Sequence, residues 1–305
     1  MIISRSHKAV ITLIVLLAVG GLAISLSADA AATDPLRVIV MNVSQGDSTL
    51  FITPKGKTML IDAGQGGSKY APYDAARTTV IPMLQSLGVE KIDVMVCTHP
   101  HEDHVGGLPA VMEEFPVGVL YDSGFDHTAT NYQKMLEMAR DREIPVKFPV
   151  TGDLIPLCDS VTVQVLGPTL PVNRRYDPNP NNHSVVVRVK YGDFSFLNSG
   201  DAEHELESLI LSTGARLKST VLNTGHHGSR TATGQEFFAL VNPEVVIISA
   251  GKRNRFDHPH WDTVSRLRKA GARIMRTDYH GHVMITSDGE SYQVTSTPVL
   301  EELSE

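Results

Sequence analysis

Three histidines and two acids fall within six residues in "THPHEDHVGGL", Thr98 to Leu108, directly after the apolar run "IDVMVC". His99 and His101 are two apart, so in an extended segment their side chains point the same way. Asp103 and His104 fall where a helix should begin, and that turn can swing them back toward the same cavity. Gly106 and Gly107 let the backbone bend closely behind them. Imidazole and carboxylate are ligands of first-row divalent metals. Two pairs of ligands imply two ions, one on His99 and His101, the other on Asp103 and His104. A hydrated polar loop that is merely rich in histidine fits poorly between a buried strand and a glycine pair.

The remaining ligands must come from distant sequence. "FLNSGD" ends a strand at Asp201, where a carboxylate can bridge two ions. Alone, Asp201 would more often cap the helix of "AEHELESLI". "LNTGHHGS" puts His226 and His227 at another strand end, and neighbours on a loop seldom both bind metal. One is expected to ligate and the other to act on substrate. His183 in "NNHSVVVRV" is a further candidate ligand, as readily a plain loop histidine. His258 and His260 in "FDHPH" can line the same pocket or simply start a helix.

The elements that must position these residues alternate in kind. Strand-like runs open the chain at "LRVIVMNV", "STLFIT" and "TMLIDAG". A helix is expected near Tyr73 to Leu87, then the strand "IDVMVCT", a helix over Gly107 to Phe115 and an amphipathic helix in "NYQKMLEMARDRE". In the second half, strands are expected at "VTVQVLG", "SVVVRVKY", "FSFLNSG", "STVLNTG", "VVIISAG", "HVMITS" and "SYQVTS". Helices are expected over Ala202 to Leu211, in "QEFFALV" and in "WDTVSRLRKAG", closed by Gly271. Two strand-rich halves with helices imply two sheets packed face to face with helices outside.

The chain has 305 residues, is 42% hydrophobic and carries a formal net charge of -7. It can bury a large core and lacks the overall basic charge of a nucleic-acid binder. A local basic run, "KRNR" at Lys252 to Arg255, reads as a solvated loop. Arg5 and Lys8 precede an uncharged run, Ala9 to Leu26, and an Ala-x-Ala-like site at Ala28 and Ala30 follows. This pattern predicts an export signal, or an uncleaved anchor, over residues 1–32. The folded part then starts near Thr33 and works outside the cytoplasm, secreted, periplasmic or anchored, with the N-terminal segment its one link to a membrane. Two cysteines, Cys97 and Cys158, exclude cysteine-pair zinc sites. Export permits a disulfide between them, but their strand-like settings predict two buried free thiols.

"THPHEDHVGG" resembles the HxHxDH signature of the metallo-β-lactamase superfamily. "NVSQGDSTLF" resembles the DVGQGDS turn of the extracytoplasmic domain of ComEC-like competence proteins. "FLNSGD", "TGHHGSRTATG" and "FDHPHWDTVSRLRKAGARIMRTDYHGHVMI" are similar to that group's later motifs. The likeness runs from Leu36 to Thr295, in a subgroup that also includes secreted phosphorylcholine esterases. It implies an α+β fold, a four-layer αββα sandwich over residues 33–305. It also implies a dinuclear site, with zinc as the first choice of metal and manganese compatible. His99 and His101 would hold one ion, and Asp103, His104 and His227 the other. Asp201 would bridge, and His226 would face substrate. Where many members carry a further histidine, this chain has the Asn-x-Ser type segment "NNHS", which leaves the His99 and His101 side more open. Asn42 and Ser44 replace the usual Asp and Gly of the turn. Asp47 reads as support behind the ligands and Asp62 as structural.

Two such ions acidify a bridging water to hydroxide near neutral pH and stabilise the oxyanion its attack creates. Asp103 would help hold the metals that activate it, and His226 and His258 would act on substrate. The expected reaction is phosphoester hydrolysis by an exported phosphodiesterase or nuclease. A lactonase or β-lactamase-like acyl hydrolase and a DNA-uptake component are the alternatives. The lack of many membrane segments weakens the last.

Overall fold

The computed structural model describes residues 34–67, 72–169 and 177–297. The expected export segment, residues 1–32, therefore lies outside the described residues. Among the described residues no helix is long and apolar enough to cross a membrane.

Strands β1 (Leu36–Val40), β2 (Thr49–Ile52) and β3 (Thr58–Ile61) form an antiparallel meander. β3 then pairs in parallel with β4 (Val94–Cys97), and β5 (Leu120–Asp122) and β6 (Val146–Lys147) extend that edge. The last strands, β14 (Val283–Ser287) and β15 (Tyr292–Ser296), return to β1 and complete an eight-stranded sheet. The second sheet has seven strands. β7 (Leu154–Cys158), β8 (Val161–Gly167), β9 (Val186–Tyr191) and β10 (Phe194–Asn198) run antiparallel. β11 (Val221–Asn223), β12 (Val245–Ile248) and β13 (Arg273–Arg276) continue parallel from β10.

Alternation along the strands builds three apolar layers. Val38, Val40 and Phe51 turn inward and meet Val163, Phe196 and Ile247 of the other sheet. Phe51 and Phe196 touch edge to face, centroids 5.4 Å apart. Ile39, Leu50 and Met95 turn outward beneath Leu84, Leu108 and Met135 of the covering helices. Leu197, Leu222 and Val246 do the same beneath Leu206, Phe237 and Leu267. The result is the α+β sandwich of four layers, helices outside two sheets.

Several expectations need correction. The helix near Tyr73 starts only at Ala76, as a π-helical turn to Val80 that runs into α1 (Ile81–Ser86). Strands β5, β6, β7 and β13 were not expected. They are short or weakly patterned, and sheet pairing rather than local propensity makes them strands. Both cysteines are free as expected, but only Cys97 is buried, because Cys158 ends β7 half-exposed. Helix α5 (His204–Ser212) has Glu203, not Asp201, at its N-cap position.

Candidate metal centre

The site forms where β4, β10, β11 and β12 end, the carboxyl edge at which parallel sheets collect ligands. His99 and His101 leave β4 in extended backbone, and α2 (Glu102–Val105) starts immediately after with Asp103 and His104 in its first turns. Glycines make this turn fit. A Cβ on Gly106 would lie 2.2 Å from Gly66 N, and one on Gly66 would lie 2.2 Å from Gly106 O.

The side chains converge as two groups that share Asp201. His99 Nε2 lies 2.9 Å from His101 Nδ1 and 3.6 Å from Asp201 Oδ2. His104 Nε2 lies 3.1 Å from Asp201 Oδ1 and 3.3 Å from His227 Nε2. His227 Nε2 in turn lies 3.2 Å from Asp103 Oδ2 and 3.6 Å from Asp201 Oδ1. One carboxylate thus offers a different oxygen to each group.

Supporting hydrogen bonds decide which ring nitrogens face the cavity. Asp62 Oδ2 accepts from His104 Nδ1 at 2.8 Å and from Thr98 Oγ1 at 2.6 Å. The Thr98 hydroxyl, with its proton on Asp62, accepts from His99 Nδ1 at 3.1 Å. His227 Nδ1 donates to the Ser249 carbonyl at 3.0 Å. Each of these three rings therefore spends its proton on the Nδ1 side and turns an Nε2 lone pair inward. Asp62 takes a left-handed φ of 55° to do this, so its structural role is the orientation of two histidines. Asp47 sits behind His227, its Oδ2 3.6 Å from Nδ1, and accepts from Asn223 Nδ2.

This donor set fits cations. Imidazole lone pairs face one another, and the buried Asp201 Oδ1 and Asp47 Oδ2 have no hydrogen-bond donor. Such orphaned acceptors are costly unless a positive charge answers them. Burial alone would raise the Asp201 carboxyl, yet the His104 and His227 rings hold it well below the usual range. Burial would lower His227, but Asp201, Asp103 and Asp47 lift it to about 9. Both shifts describe a centre that attracts positive charge.

His226 and His227 occupy consecutive left-handed positions, φ 46° and 53°, so their rings diverge. His226 Nδ1 pairs with Glu203 Oε1 at 2.9 Å, and its Nε2 lies 3.9 Å from Asp201 Oδ2. Asn181 and Asn179 also donate to Glu203. His258 is buried with its ring 5.2 Å from that of His226, and its Nδ1 is unpartnered. Burial, then the neighbouring His227 and His226, lower it to about 4. His260 instead accepts from the Arg230 amide. His183 is not brought in, since it bonds the Asp177 carbonyl and packs on Phe125. Ser184 of the same segment accepts from the Asp201 amide at 3.2 Å. Asn42 replaces the motif's acid without loss of the turn, because its Oδ1 accepts from Ser44 N, and Ser44 adopts the left-handed φ of 65°.

Sequence reasoning passed over Glu203 and His127. His127 shares with His101, Asp201, His226 and His258 the lining of a cavity of about 380 Å³. Glu203 carried a signal, since two residues beyond Asp201 an extended chain points the same way. His127 lies in a loop with no spacing relation to the motif.

A model described as the metallo-β-lactamase superfamily matches residues 41–252. The chain is 31% identical to ComE operon protein 3 of Bacillus subtilis over 81% of its own length and 32% of that protein's. It is also 31% identical to competence protein ComA of Neisseria gonorrhoeae, over 85% of the chain and 33% of the relative. It thus spans about a third of these relatives. In fold it is similar to CmlA, a diiron β-hydroxylase from Streptomyces venezuelae, with a TM-score of 0.52 and 13% identity. That match covers 81% of this chain and 53% of CmlA.

Proposed function

Since the chain belongs to the metallo-β-lactamase superfamily, we propose that it is an exported, dinuclear-metal phosphodiester hydrolase. The observation that carries this is the division of Asp201, with Oδ1 toward His104 and His227 and Oδ2 toward His99. His99 and His101 would hold one ion, Asp103, His104 and His227 the other, and Asp201 would span both. Zinc suits the histidine-rich set, and manganese is compatible with its carboxylates. Bound there, two divalent ions supply Lewis acidity and an acidified water.

The chain's own residues do the rest. Asp62, Thr98 and the Ser249 carbonyl fix the ring orientations. Glu203 pairs with His226 Nδ1 and aims Nε2 at the cavity, where the ring would donate to a phosphoryl oxygen or to the leaving group. His258 lines the wall beside it, and its unpartnered Nδ1 would be free to meet the substrate. Among the described residues the His99 and His101 side gathers Asp201 as its third ligand-type group, and Ser184, of the segment before it, accepts from the Asp201 amide rather than adding a ring. That openness leaves room for phosphoryl oxygens, which favours phosphoester over acyl substrates. The competence relatives favour a second reading, a component that handles incoming DNA.

The test uses the metal-reconstituted chain on bis-p-nitrophenyl phosphate, single-stranded oligonucleotides, lactones and nitrocefin. Phosphodiester turnover with close to two ions per chain is expected. Asp201→Ala and His101→Ala should each lose both metal and turnover. Full metal retention in both, or turnover of lactone or nitrocefin alone, would sink the reading. Export is checked by fractionating the native host, and a solely cytoplasmic full-length chain would contradict it.

A further inference from the structure

The metal cavity does not end at the ligands. A second compartment of about 470 Å³ adjoins it and shares Gln45, Glu102, Asp103, Arg255 and Phe256 with it. Its outer wall is the run Lys252 to Arg255, placed there by the loop between β12 and α7 (Trp261–Lys269). The loop is held in shape. Asn254 Oδ1 accepts from the Phe256 and His258 amides at 3.1 and 3.0 Å, and its Nδ2 donates to the Gly251 and His258 carbonyls. Gly251 N is tied to Gln45 Oε1 across the groove.

Three features of this groove are left available to a ligand. Lys252, Arg253 and Arg255 are exposed, and among the described residues none of them makes an ion pair. Phe256 is 44% exposed, stacked at 24° on His258 with the Arg255 guanidinium 4.7 Å from its ring. Gln45, where the compartments meet, has a buried Nε2 donor with no partner. The two acids on the inner wall are already engaged, Glu102 by Asn131 and Asp103 by His227. A net charge of -7 makes three unpaired cations at one mouth unusual for this chain.

We propose that this groove is a subsite for the strand that flanks the scissile phosphodiester, with single-stranded nucleic acid as its ligand. Lys252 and Arg253 take flanking phosphates, the Gln45 amide donates to a phosphate or sugar oxygen, and Phe256 with Arg255 offers a stacking surface to a base. Cations that track a backbone beside an exposed aromatic ring are the recognition pattern for single strands. The inference extends the phosphodiesterase reading by naming its substrate class, yet strand binding can be measured without turnover.

The experiment is fluorescence anisotropy of a labelled single-stranded oligonucleotide with the purified chain in chelator, across a salt series. Wild type and Lys252→Ala/Arg253→Ala are compared, each with its melting temperature. The double variant should fold as wild type does, and its log Kd against log salt should be shallower by about 1.4, since each strand contact contributes about 0.7. Phe256→Ala should weaken binding about tenfold or more with the slope kept, as a lost stacking contact does. Equal slopes for wild type and the double variant would overturn the proposal. So would binding to phosphatidylglycerol vesicles without binding to the oligonucleotide. Strand binding with these losses but no hydrolysis under any metal would support the groove and refute the hydrolase, so the two readings fail separately.

Discussion

Adjacent histidines with different tasks are possible here because both accept a left-handed backbone, a conformation that costs on the order of 1–3 kcal/mol per residue. His227 has its Nδ1 spent on Ser249, whereas His226 has its Nδ1 on Glu203. His227→Ala should therefore lower metal content and turnover together. His226→Ala should keep metal, measured by elemental analysis, and lose turnover by about 10²- to 10⁴-fold. The opposite pattern would reverse the assignment. Glu203→Gln should keep metal and lose about 10- to 100-fold, as groups that orient a working ring do. Wild-type turnover would show that Glu203 only ties down Asn179 and Asn181. A second residue-scale effect lies away from the ligands. Burial raises the Asp122 carboxyl to about 6, despite the bonds it accepts from Tyr132 and Gly124. A raised acid stabilises the fold while it stays protonated, and that contribution fades as pH rises from about 4 through 6. The loss is on the order of 3 kcal/mol. Asp122→Asn should flatten this limb in denaturant titrations at pH 4.5 and 7 with chelator present. An unchanged limb would assign it to other groups.

At the scale of elements, the ligand turn works because backbone touches backbone. Gly106 and Gly66 leave no room for a Cβ on either side. Gly106→Ala should destabilise the protein by about 1–3 kcal/mol and lower metal affinity, because the β4–α2 turn must shift away from Gly66. Gly56 has nothing within 4 Å of a Cβ, though its φ of 73° still strains an alanine. Gly56→Ala, compared by thermal melting, measures left-handed strain without close approach, whereas Gly106, at φ -54°, has close approach without that strain. If both variants lose equal stability and equal metal, close approach is not what shapes the turn.

Across the whole molecule, the two sheets share one inner layer, and the site sits where both sheets end. Phe196 and Phe51 pack edge to face within that layer. Phe196→Ala should cost about 3–5 kcal/mol of stability, read from chemical denaturation. Metal stoichiometry at low temperature should remain that of wild type, and a loss of metal from the still-folded variant would show that the inner layer sets the ligand geometry. The same placement explains how strands distant in sequence can bring their end residues to a common centre.

Much of this was legible in the chain because it depends on short-range pattern. Alternating apolar strands and 3.6-residue helices prescribe layers that must stack, and "HPHEDH" between a buried strand and a glycine pair prescribes a turn that crowds ligand-type side chains together. Asp201 and the His226 and His227 pair were legible for the same reason, as polar residues placed directly at strand ends. Tertiary structure alone decided the partnerships. Nothing local says that Asp62 will orient His99 and His104, that Glu203 will hold His226, or that His183 will turn away to Asp177. It also turned "KRNR" from an ordinary solvated loop into the wall of a groove, because Asn254 and Gln45 pin that loop against the mouth of the site. Residue type and spacing set which groups can do chemistry. Which lone pair faces which neighbour follows from strands that meet only in three dimensions, after the sheets have paired and the core has closed.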